Sequence, residues 1–447
     1  LSIDGIVKSI RERSLHLTIL GSGYVGLLTA VMFAEAGFSV ATVDVRREIV
    51  ELINNGRAPL NDPGLQELLK SNVEAGRLKA LTKSQANLVK TGAVVISVQT
   101  PIRKNRKPNL SFLKEALEGV GRGCHKGMLV IVASSIPPGA MLNLVKPKLE
   151  YLSGLQVESD FYLAYAPERF SPGRALQEFV ENPRLVGGVG PNSTKAASEL
   201  FRTVCKNVIE TDAATAEVAK LAENTFRDVN IAFANQLALI CEEYGVDVKK
   251  VIELANTHPR VAIHTPGPGV GGSCLPKDPY LLISRIKASK CDIVRIARRI
   301  NDSMPDYVVK MTLLALKHAG KDVKNVKVAV LGTAYKADVA DSRLSPAGPI
   351  VRRLLHLGAK VSAYDPHCKE SFGAERASSL SEAVRSADCI IIVTDHTELK
   401  KIDLQLLRRE AKENTIIIDS RRVFDPNTIR AFGFKYYGLG YGFGKLG

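Results

Sequence analysis

Short apolar runs alternate along most of this chain with longer stretches whose apolar positions recur at helical spacing. That rhythm predicts β-α-β units, a parallel sheet with helices on both faces. In the first half the runs are Leu15–Leu20, Phe38–Asp44, Ala93–Val98, Met128–Ala133 and Phe161–Tyr165. The rhythm restarts at Lys327, with Val328–Leu331, Lys360–Ala363, Cys389–Val393 and Thr415–Asp419. Between the halves, Ala213 to Tyr244 reads as helix without Gly or Pro and stops at Gly245. A helix of that length is more naturally a bridge than a sheet cover. Further helices are expected over Val248–Ala255, from Pro276 onward, and over Cys291–Lys317 with an interruption near Pro305. Ile3, Ile6, Val7 and Ile10 predict a short amphipathic helix that packs on a domain or subunit neighbour. The expected segments are an extension at 1–14, a first sheet domain at 15–212, a helical segment at 213–322 and a second sheet domain at 323–447.

The first strand runs into Gly21-Ser-Gly-Tyr-Val-Gly26 and a helix follows to Ala36. This is Gly-x-Gly-x-x-Gly in the strand-turn-helix setting where it carries meaning. Gly21 allows the tight turn, Gly23 lets backbone N–H groups reach a pyrophosphate, and Gly26 permits close packing of helix on strand. Tyr24 and Val25 supply the first helical residues. Asp44 ends the second strand 18 residues past Gly26, placed to accept the ribose hydroxyls of NAD rather than NADP. Arg46 and Arg47 leave a 2′-phosphate open as an alternative. Thr100, Ser135, Glu168 and Arg169 fall at the carboxyl ends of later strands, where doubly wound sheets bind ligands. Each of these also suits a turn, although a carboxylate at Glu168 would lie beside the nicotinamide. Both sheet domains are thus Rossmann-like, and the fold class is α/β, two doubly wound domains joined by a long central helix and a helical region.

The second domain lacks the glycine cradle after its first strand, which reads Gly332-Thr-Ala-Tyr-Lys336. Lys336, Arg343 and the pair Arg421-Arg422 stand at strand ends instead, as a diphosphate requires when backbone amides are not on offer. Scattered surface charge is the alternative. Lys220 and Asn224 share one face of the long helix, so an ammonium and an amide could converge on one oxygen. Cys274 sits in Gly267-Pro-Gly-Val-Gly-Gly-Ser-Cys-Leu-Pro-Lys-Asp-Pro279. The glycines let backbone approach a ligand, and a helix beginning near Pro276 would favour the thiolate by its dipole. A buried cysteine acting as a small hydrophobe is the other reading.

Composition narrows the classes. The chain has 447 residues, 45% of them hydrophobic, enough for two or three cored domains. No apolar run approaches the roughly 18 residues that span a bilayer, and the basic-then-apolar order of a signal peptide is absent, so cytoplasm is the expected compartment. Seven cysteines with no Cys-x-x-Cys argue against disulfides and a zinc site, and no metal is expected. The formal charge of +15 calls for anionic partners. Its cations are dispersed and Trp is absent, which disfavours nucleic acid and favours phosphorylated small molecules.

Taken together, Gly21–Gly26, Ser134-Ser-Ile-Pro137, Ala166-Pro-Glu-Arg169, Ala219-Lys-Leu-Ala-Glu-Asn224, Gly271-Gly-Ser-Cys-Leu-Pro-Lys-Asp278 and Tyr335–Arg343 resemble the nucleotide-sugar 6-dehydrogenases, the UDP-glucose and UDP-N-acetylmannosamine dehydrogenase family. The resemblance covers the chain from Leu15. It implies a four-electron oxidation of a sugar CH₂OH to a carboxylate with two NAD in succession, through a thioester on Cys274. It also implies an oxyanion site at Lys220 and Asn224, with Asp278 positioning Lys220 or water, Glu168 as base for hydrolysis and Ser135 holding a water network. Glu168, Arg169, Lys220, Asn224, Gly271, Lys336, Arg343 and Arg421 would contact the UDP-sugar. Arg260 resembles an arginine that the family delivers into a neighbouring subunit's site, which implies a homodimer or higher homo-oligomer formed through the helical region. Where the UDP-glucose branch has a second glutamate, Arg169-Phe-Ser-Pro-Gly173 places Pro172; with Gly267–Gly271, this is similar to the N-acetylhexosamine branch. The expected substrate is UDP-N-acetyl-D-mannosamine, with UDP-glucose or another UDP-N-acetylhexosamine as alternatives. A two-electron hydroxyacid-type dehydrogenase and a non-catalytic nucleotide-sugar sensor are the remaining readings.

Overall fold

The structure, a computed structural model, describes residues 2–83 and 88–441 apart from the side chains of Val89 and Asn325. Residue 1 and residues 442–447, at the outer ends of the first and last expected segments, lie outside it. The chain forms two compact units: residues up to Glu223 with Tyr280–Ile286, and Asn224–Pro279 with the residues from Lys287 on.

The first unit is built on an eight-stranded sheet. Its strands are β1 (His16–Leu20), β2 (Ser39–Asp44), β3 (Leu78–Thr82), β4 (Ala93–Ile96), β5 (Leu129–Val132), β6 (Tyr162–Tyr165), β7 (Arg184–Gly188) and β8 (Val208–Asp212), in spatial order β3-β2-β1-β4-β5-β6-β7-β8. β1, β4, β5 and β6 are buried along nearly their whole length, as strands covered on both faces must be. The order reverses direction after β1, and the carboxyl ends of β1, β2, β4, β5 and β6 share one edge because these strands are mutually parallel. The expected all-parallel sheet is corrected at one pairing: β7 runs antiparallel to β6. Three of the eight strands, β3, β7 and β8, escape the hydrophobic reading. β8 is Val-Ile-Glu-Thr-Asp with no buried residue, so no apolar run marks it. The amino-terminal helix Ile3–Arg11 is capped by Ser2 and buries Ile6 and Ile10 in this unit's own core, which settles its packing partner as the domain.

Helix Ala213–Tyr244 is 32 residues long, as its uninterrupted pattern predicts. Its portion from Asn224 belongs to the second unit, where Ala238 and Cys241 join Met304, Val308 and a face of the second sheet in one core. That sheet is parallel throughout and comprises β9 (Lys327–Leu331), β10 (Lys360–Tyr364), β11 (Glu375–Arg376), β12 (Cys389–Ile392), β13 (Ile416–Asp419) and β14 (Lys435–Gly438), ordered β11-β10-β9-β12-β13-β14. The expected interruption at Pro305 does not occur. Helix Asp292–His318 continues through it, with Pro305 buried. Buried polar pairs tie this helix to the long one: Asp228 with Arg298 at 2.5 Å, and Asn235 with Asn301 at 3.0 Å. Among the described residues no helix is long and apolar enough to cross a membrane.

Candidate active site

The turn after β1 has the form of a dinucleotide cradle. Gly21 has φ +97°, and a Cβ there would lie 2.5 Å from the Ser97 carbonyl oxygen; one at Gly26 would lie 1.8 Å from the Gly21 carbonyl oxygen. Both positions exclude any side chain. Gly23, at the N-cap of helix Tyr24–Glu35, has no heavy atom within 4 Å of a Cβ position and no side chain capping the amides. The space is therefore open where a pyrophosphate would meet the helix N-terminus. Tyr24 donates its hydroxyl to Asp62, and Val25 offers its carbonyl to Thr29.

Asp44 ends β2 almost fully buried. It accepts the Ser22 amide at 3.0 Å and the Arg46 amide at 3.0 Å, and the Arg46 guanidinium forks onto both its oxygens at 3.0 and 3.2 Å. Burial pushes its pKa upward, but the hydrogen bonds from Arg46 and Ser22 outweigh that and hold it below the ordinary value. The arginine that left a 2′-phosphate open is thus paired with Asp44, the carboxylate expected at the ribose. Thr100 donates to the Ser135 carbonyl at 2.6 Å, tying the loops after β4 and β5 together.

After β6, Glu168 accepts the Phe170 amide at 2.9 Å, and its other oxygen lies 3.8 Å from the Lys220 ammonium, both side chains being largely buried. Arg169 is turned to structure, donating to the Pro183 carbonyl at 2.8 Å and pairing with Glu223 at 2.7 Å. Two residues that support this region carry no motif. Arg184, buried between the rings of Phe179 and Phe201, donates to the Pro167 carbonyl at 2.9 Å. Glu217 accepts the amides of Gly139 and Met141 at 2.6 and 2.7 Å, one turn before Lys220, and so fixes the loop that follows Ser135. A charged residue in an otherwise buried helical stripe was the available signal for Glu217.

In the second unit the cysteine loop is fastened at both ends. The Gly267 amide donates to Asn235 at 2.8 Å and the Gly272 amide to the Arg343 carbonyl at 2.9 Å. A Cβ on Gly267 would meet Arg421, on Gly269 Pro305, on Gly271 the Leu344 carbonyl and Tyr335, and on Gly272 the Tyr335 ring, at 2.7 to 3.2 Å. The glycines therefore make room for the protein's own side chains and backbone, where the sequence reading had them let backbone approach a ligand. Gly271 can offer a ligand only its backbone.

Cys274 is half-buried, its Sγ 3.5 Å from the Ser273 hydroxyl. Its carbonyl accepts the amides of Lys277 and Asp278 at 3.0 and 2.8 Å in a turn. The helix behind it spans only Asp278–Leu282 and starts two residues later than expected. Five residues make a weak dipole, so the expected helix activation of the thiol loses its basis. Arg343, forked onto Asp341, has its pKa raised first by that hydrogen bond, with the Cys274 charge adding to it. Burial, with the charges of Asp341 and Cys274, pushes Tyr335 up to about 12. Tyr335 escaped the sequence reading as a site residue because tyrosine in a loop carries no signal of its own.

Asp278 is fully buried. It accepts the Asn224 side-chain amide at 2.6 Å, and Lys277 stands 3.4 Å from its second oxygen. Its carboxylate orients Asn224, one turn along the long helix from Lys220.

The second domain closes its first turn with its own chemistry. The amides of Thr333 and Ala334, which would otherwise cradle a phosphate, donate to Asp365 at 2.6 and 2.8 Å. Lys336 is exposed, and Arg421 donates to the Val393 carbonyl at 3.0 Å with its guanidinium against Gly267. Arg422 is corrected as a diphosphate cation: it is buried and forked onto Asp247 at 2.8 and 2.9 Å. Arg260 is exposed on a segment that Asn230 and Asn256 clamp through Ala262, Ile263 and His264.

A dinucleotide cradle opposite a buried carboxylate, in a doubly wound sheet followed by a cysteine-bearing loop and a second Rossmann-like sheet, is the frame of a nicotinamide-dependent oxidoreductase. Three family descriptions match in succession: the NAD binding domain of the UDP-glucose/GDP-mannose dehydrogenase family over residues 15–205, its central domain over 214–303 and its UDP binding domain over 329–426. The UDP-N-acetyl-D-mannosamine dehydrogenase of Pyrococcus horikoshii is 42% identical over 429 residues, 96% of this chain and 100% of that protein. Its structure superposes with a TM-score of 0.90, covering the same shares. The NDP-N-acetyl-D-galactosaminuronic acid dehydrogenase of Methanosarcina mazei Go1 is 36% identical, with a TM-score of 0.84 over 99% of this chain and 98% of that one. The chain belongs to the UDP-glucose/GDP-mannose dehydrogenase family and is an NAD-dependent UDP-sugar dehydrogenase.

Proposed function

We propose that the protein oxidises the C6 hydroxymethyl of UDP-N-acetyl-D-mannosamine to the carboxylate of UDP-N-acetyl-D-mannosaminuronate. The observation that carries this reading is Cys274, held half-buried in a loop fastened to Asn235 and Arg343, four residues ahead of the Asp278 that orients the Asn224 side chain. The sugar follows from the N-acetylmannosamine activity named for the Pyrococcus relative and from Pro172 in place of a second glutamate. UDP-glucose and other UDP-N-acetylhexosamines remain the alternatives, the latter supported by the name of the Methanosarcina relative.

The residues at the cradle fit NAD: Gly21, Gly23, Tyr24, Val25 and Gly26 for the pyrophosphate, Asp44 for the ribose, and Thr100 and Ser135 toward the nicotinamide end. NAD supplies a hydride acceptor, two per sugar. The first hydride leaves C6 as the hydroxyl proton passes to water, and the Cys274 thiolate adds to the resulting aldehyde. The resulting oxyanion takes a hydrogen bond from the Asn224 N–H that Asp278 does not use and charge from Lys220. Loss of the second hydride leaves a thioester. Water, deprotonated by Glu168 and held by Ser135, displaces the sulfur, returning the thiolate and releasing the carboxylate. Lys336, Arg343 and Arg421 take the diphosphate, and Gly271 offers its amide. Arg169 acts as a positioning residue for Glu168.

Phe226, Phe233 and Ile240 are exposed at seven-residue spacing on the long helix, on one side of it. A stripe of that period is a seam for a second copy, so we place a homodimer there, with Arg260 serving the neighbouring site. All seven cysteines are free, which suits the cytoplasm.

The test is a panel of UDP-glucose, UDP-N-acetylglucosamine, UDP-N-acetylgalactosamine and UDP-N-acetylmannosamine, counting NADH per sugar consumed. Two NADH with the mannosamine compound supports the proposal. A count of one returns the chain to two-electron chemistry, and tight binding without turnover makes it a sensor.

A further inference from the structure

Asp62 stands in Asn61-Asp-Pro-Gly64, just ahead of helix Leu65–Glu74, where its type and neighbours read as turn chemistry. The side chain bonds far from that turn. It is 5% exposed, and its carboxylate collects three donors from two distant segments. One oxygen accepts the Tyr24 hydroxyl and, at 2.8 Å, the Gly173 amide; the other accepts the Ala175 amide at 3.3 Å. Tyr24 is the first residue of the helix behind the open Gly23 N-cap. Gly173 and Ala175 end the loop after β6 that carries Glu168 and Pro172. A single buried carboxylate therefore joins the dinucleotide cradle to that loop.

The aromatic rings make a second, separate link. The Tyr24 ring lies 6.1 Å from that of Phe170, which lies 5.7 Å from Phe179 in the core of the first unit. The Phe170 amide is the donor that Glu168 accepts. Tyr24 thus meets the loop twice, at Phe170 through its ring and at Gly173 and Ala175 through Asp62. Ser171 is fixed between these points by Glu178, which accepts its amide at 2.8 Å. The segment from Pro167 to Arg174 forms neither strand nor helix, so side-chain contacts of this kind set its path. Gly173 turns it back at φ +92°, a conformation open to glycine at no steric cost.

We propose that Asp62 is a positioning residue for the oxidation: it seats the loop after β6 on the cofactor cradle and so sets the place of the Glu168 carboxylate. This rests on the roles given above to Glu168 and Cys274. Hydrolysis of the thioester asks most of that seat. Glu168 takes a proton from a water whose oxygen attacks the acyl carbon, the carbon–sulfur bond breaks, and the thiolate leaves; misplacement by about 1 Å costs roughly 10²-fold in such a step. Asp62→Asn keeps the volume but sets one oxygen and one NH₂ against two backbone N–H groups, so either Gly173 or Ala175 must turn from it. No local pattern marks the residue, because its partners lie 38, 111 and 113 residues away.

The experiment follows the acyl group on Cys274 by rapid quench and intact-protein mass spectrometry, at saturating NAD, with the UDP-sugar that the parent oxidises. The expected result in Asp62→Asn is two NADH per site formed at close to the parental rate, then decay of the acyl-enzyme about 10- to 100-fold slower than in the parent. A residue that only supports the fold would lower Tm and the fraction of active sites while each active site still hydrolysed at the parental rate, and that outcome overturns the proposal. A slowed hydride step with parental decay overturns it too and assigns Asp62 to the cofactor alone. If Asp62→Asn does not fold, Tyr24→Phe decides in its place, since it cuts the tie at the cradle end and leaves both loop amides paired; parental decay in that variant overturns the proposal. A parent that yields one NADH per sugar ends the thioester reading and this proposal with it, whereas two NADH in the parent with parental decay in the variant ends this proposal alone.

Discussion

Asn224 donates its side-chain amide to the fully buried carboxylate of Asp278 across 2.6 Å. Because a carboxylate can only accept, the nitrogen of Asn224 must face it, and the second N–H is aimed away from Asp278. An oxyanion donor needs just this: a hydrogen held in place before charge develops. Asp278→Asn removes the preference, since an amide opposite an amide can pair in either sense. The expected outcome is a fall in kcat of roughly 10²-fold, with KM for the UDP-sugar changed little. Steady-state kinetics on a variant with a near-parental Tm checks it, and an unchanged kcat would falsify the orienting role.

Cys274→Ser should lower turnover by roughly 10³-fold or more, because an alkoxide is far harder to form than a thiolate at neutral pH. NAD binding should persist, as the glycine cradle and Asp44 belong to the other unit. Single-turnover measurement separates the two effects. Parental turnover in this variant would end the thioester scheme.

Asp44 and Arg46 make the cofactor preference a property of the pair. The carboxylate is held ionised mainly against its burial by Arg46, and the guanidinium is half-exposed. Removing the carboxylate in Asp44→Ala loses the ribose acceptor and frees a cation for a 2′-phosphate. NAD affinity should drop about tenfold while NADP affinity rises, and adding Arg46→Ala should abolish the gain. Fluorescence titration with both cofactors is sufficient. A gain that survives Arg46→Ala would point to Arg47.

The alternation of apolar runs and helical stretches made both sheets legible, because buried parallel strands are apolar along their whole length. It failed at β8, where no residue is buried, and at β7, whose two glycines dilute the signal. Within the site, glycines and the cysteine announced themselves by type, but their tasks did not. The glycines clear space for Tyr335, Leu344, Pro305 and Arg421, contacts more than thirty residues away that no local spacing encodes. Arg421 and Arg422 are adjacent in sequence and opposite in fate. Arg422 has φ +54°, which turns it inward onto Asp247, while Arg421 stays partly exposed.

That inward pair sets a pH dependence. Burial pushes the Asp247 pKa up, but the Arg422 fork and the Lys249 amide overcome it, and the folded value lies below the ordinary 3.8. A lowered acid pKa contributes stability that is fully present above the unfolded value and is lost as pH falls through the folded one. Asp247→Asn should therefore destabilise the chain by about 3 kcal/mol at neutral pH, mostly by leaving Arg422 buried without its partner. The gap to the parent should narrow on acidification below about pH 4. Urea unfolding at several pH values reports this, and a gap that widens in acid contradicts the assignment.

The seam of Phe226, Phe233 and Ile240 and the exposed Arg260 lead to a prediction about whose arginine serves whose site. If Arg260 acts on the neighbouring subunit, Cys274→Ser and Arg260→Ala carry complementary lesions. In a heterodimer, the subunit with an intact thiol is served by the arginine of its partner, and one of the two sites is whole. Re-equilibrating equal amounts of the two inactive variants puts half of the dimers in that state, so about one quarter of parental activity should return. Arg260 acting within its own subunit would leave every site with one lesion and restore nothing. Phe233→Glu, which sets a charge in the middle of the seam, should shift the dimer toward monomer in sedimentation and prevent the recovery. Recovery that survives Phe233→Glu, with the dimer still present in sedimentation, would place the interface elsewhere on the molecule.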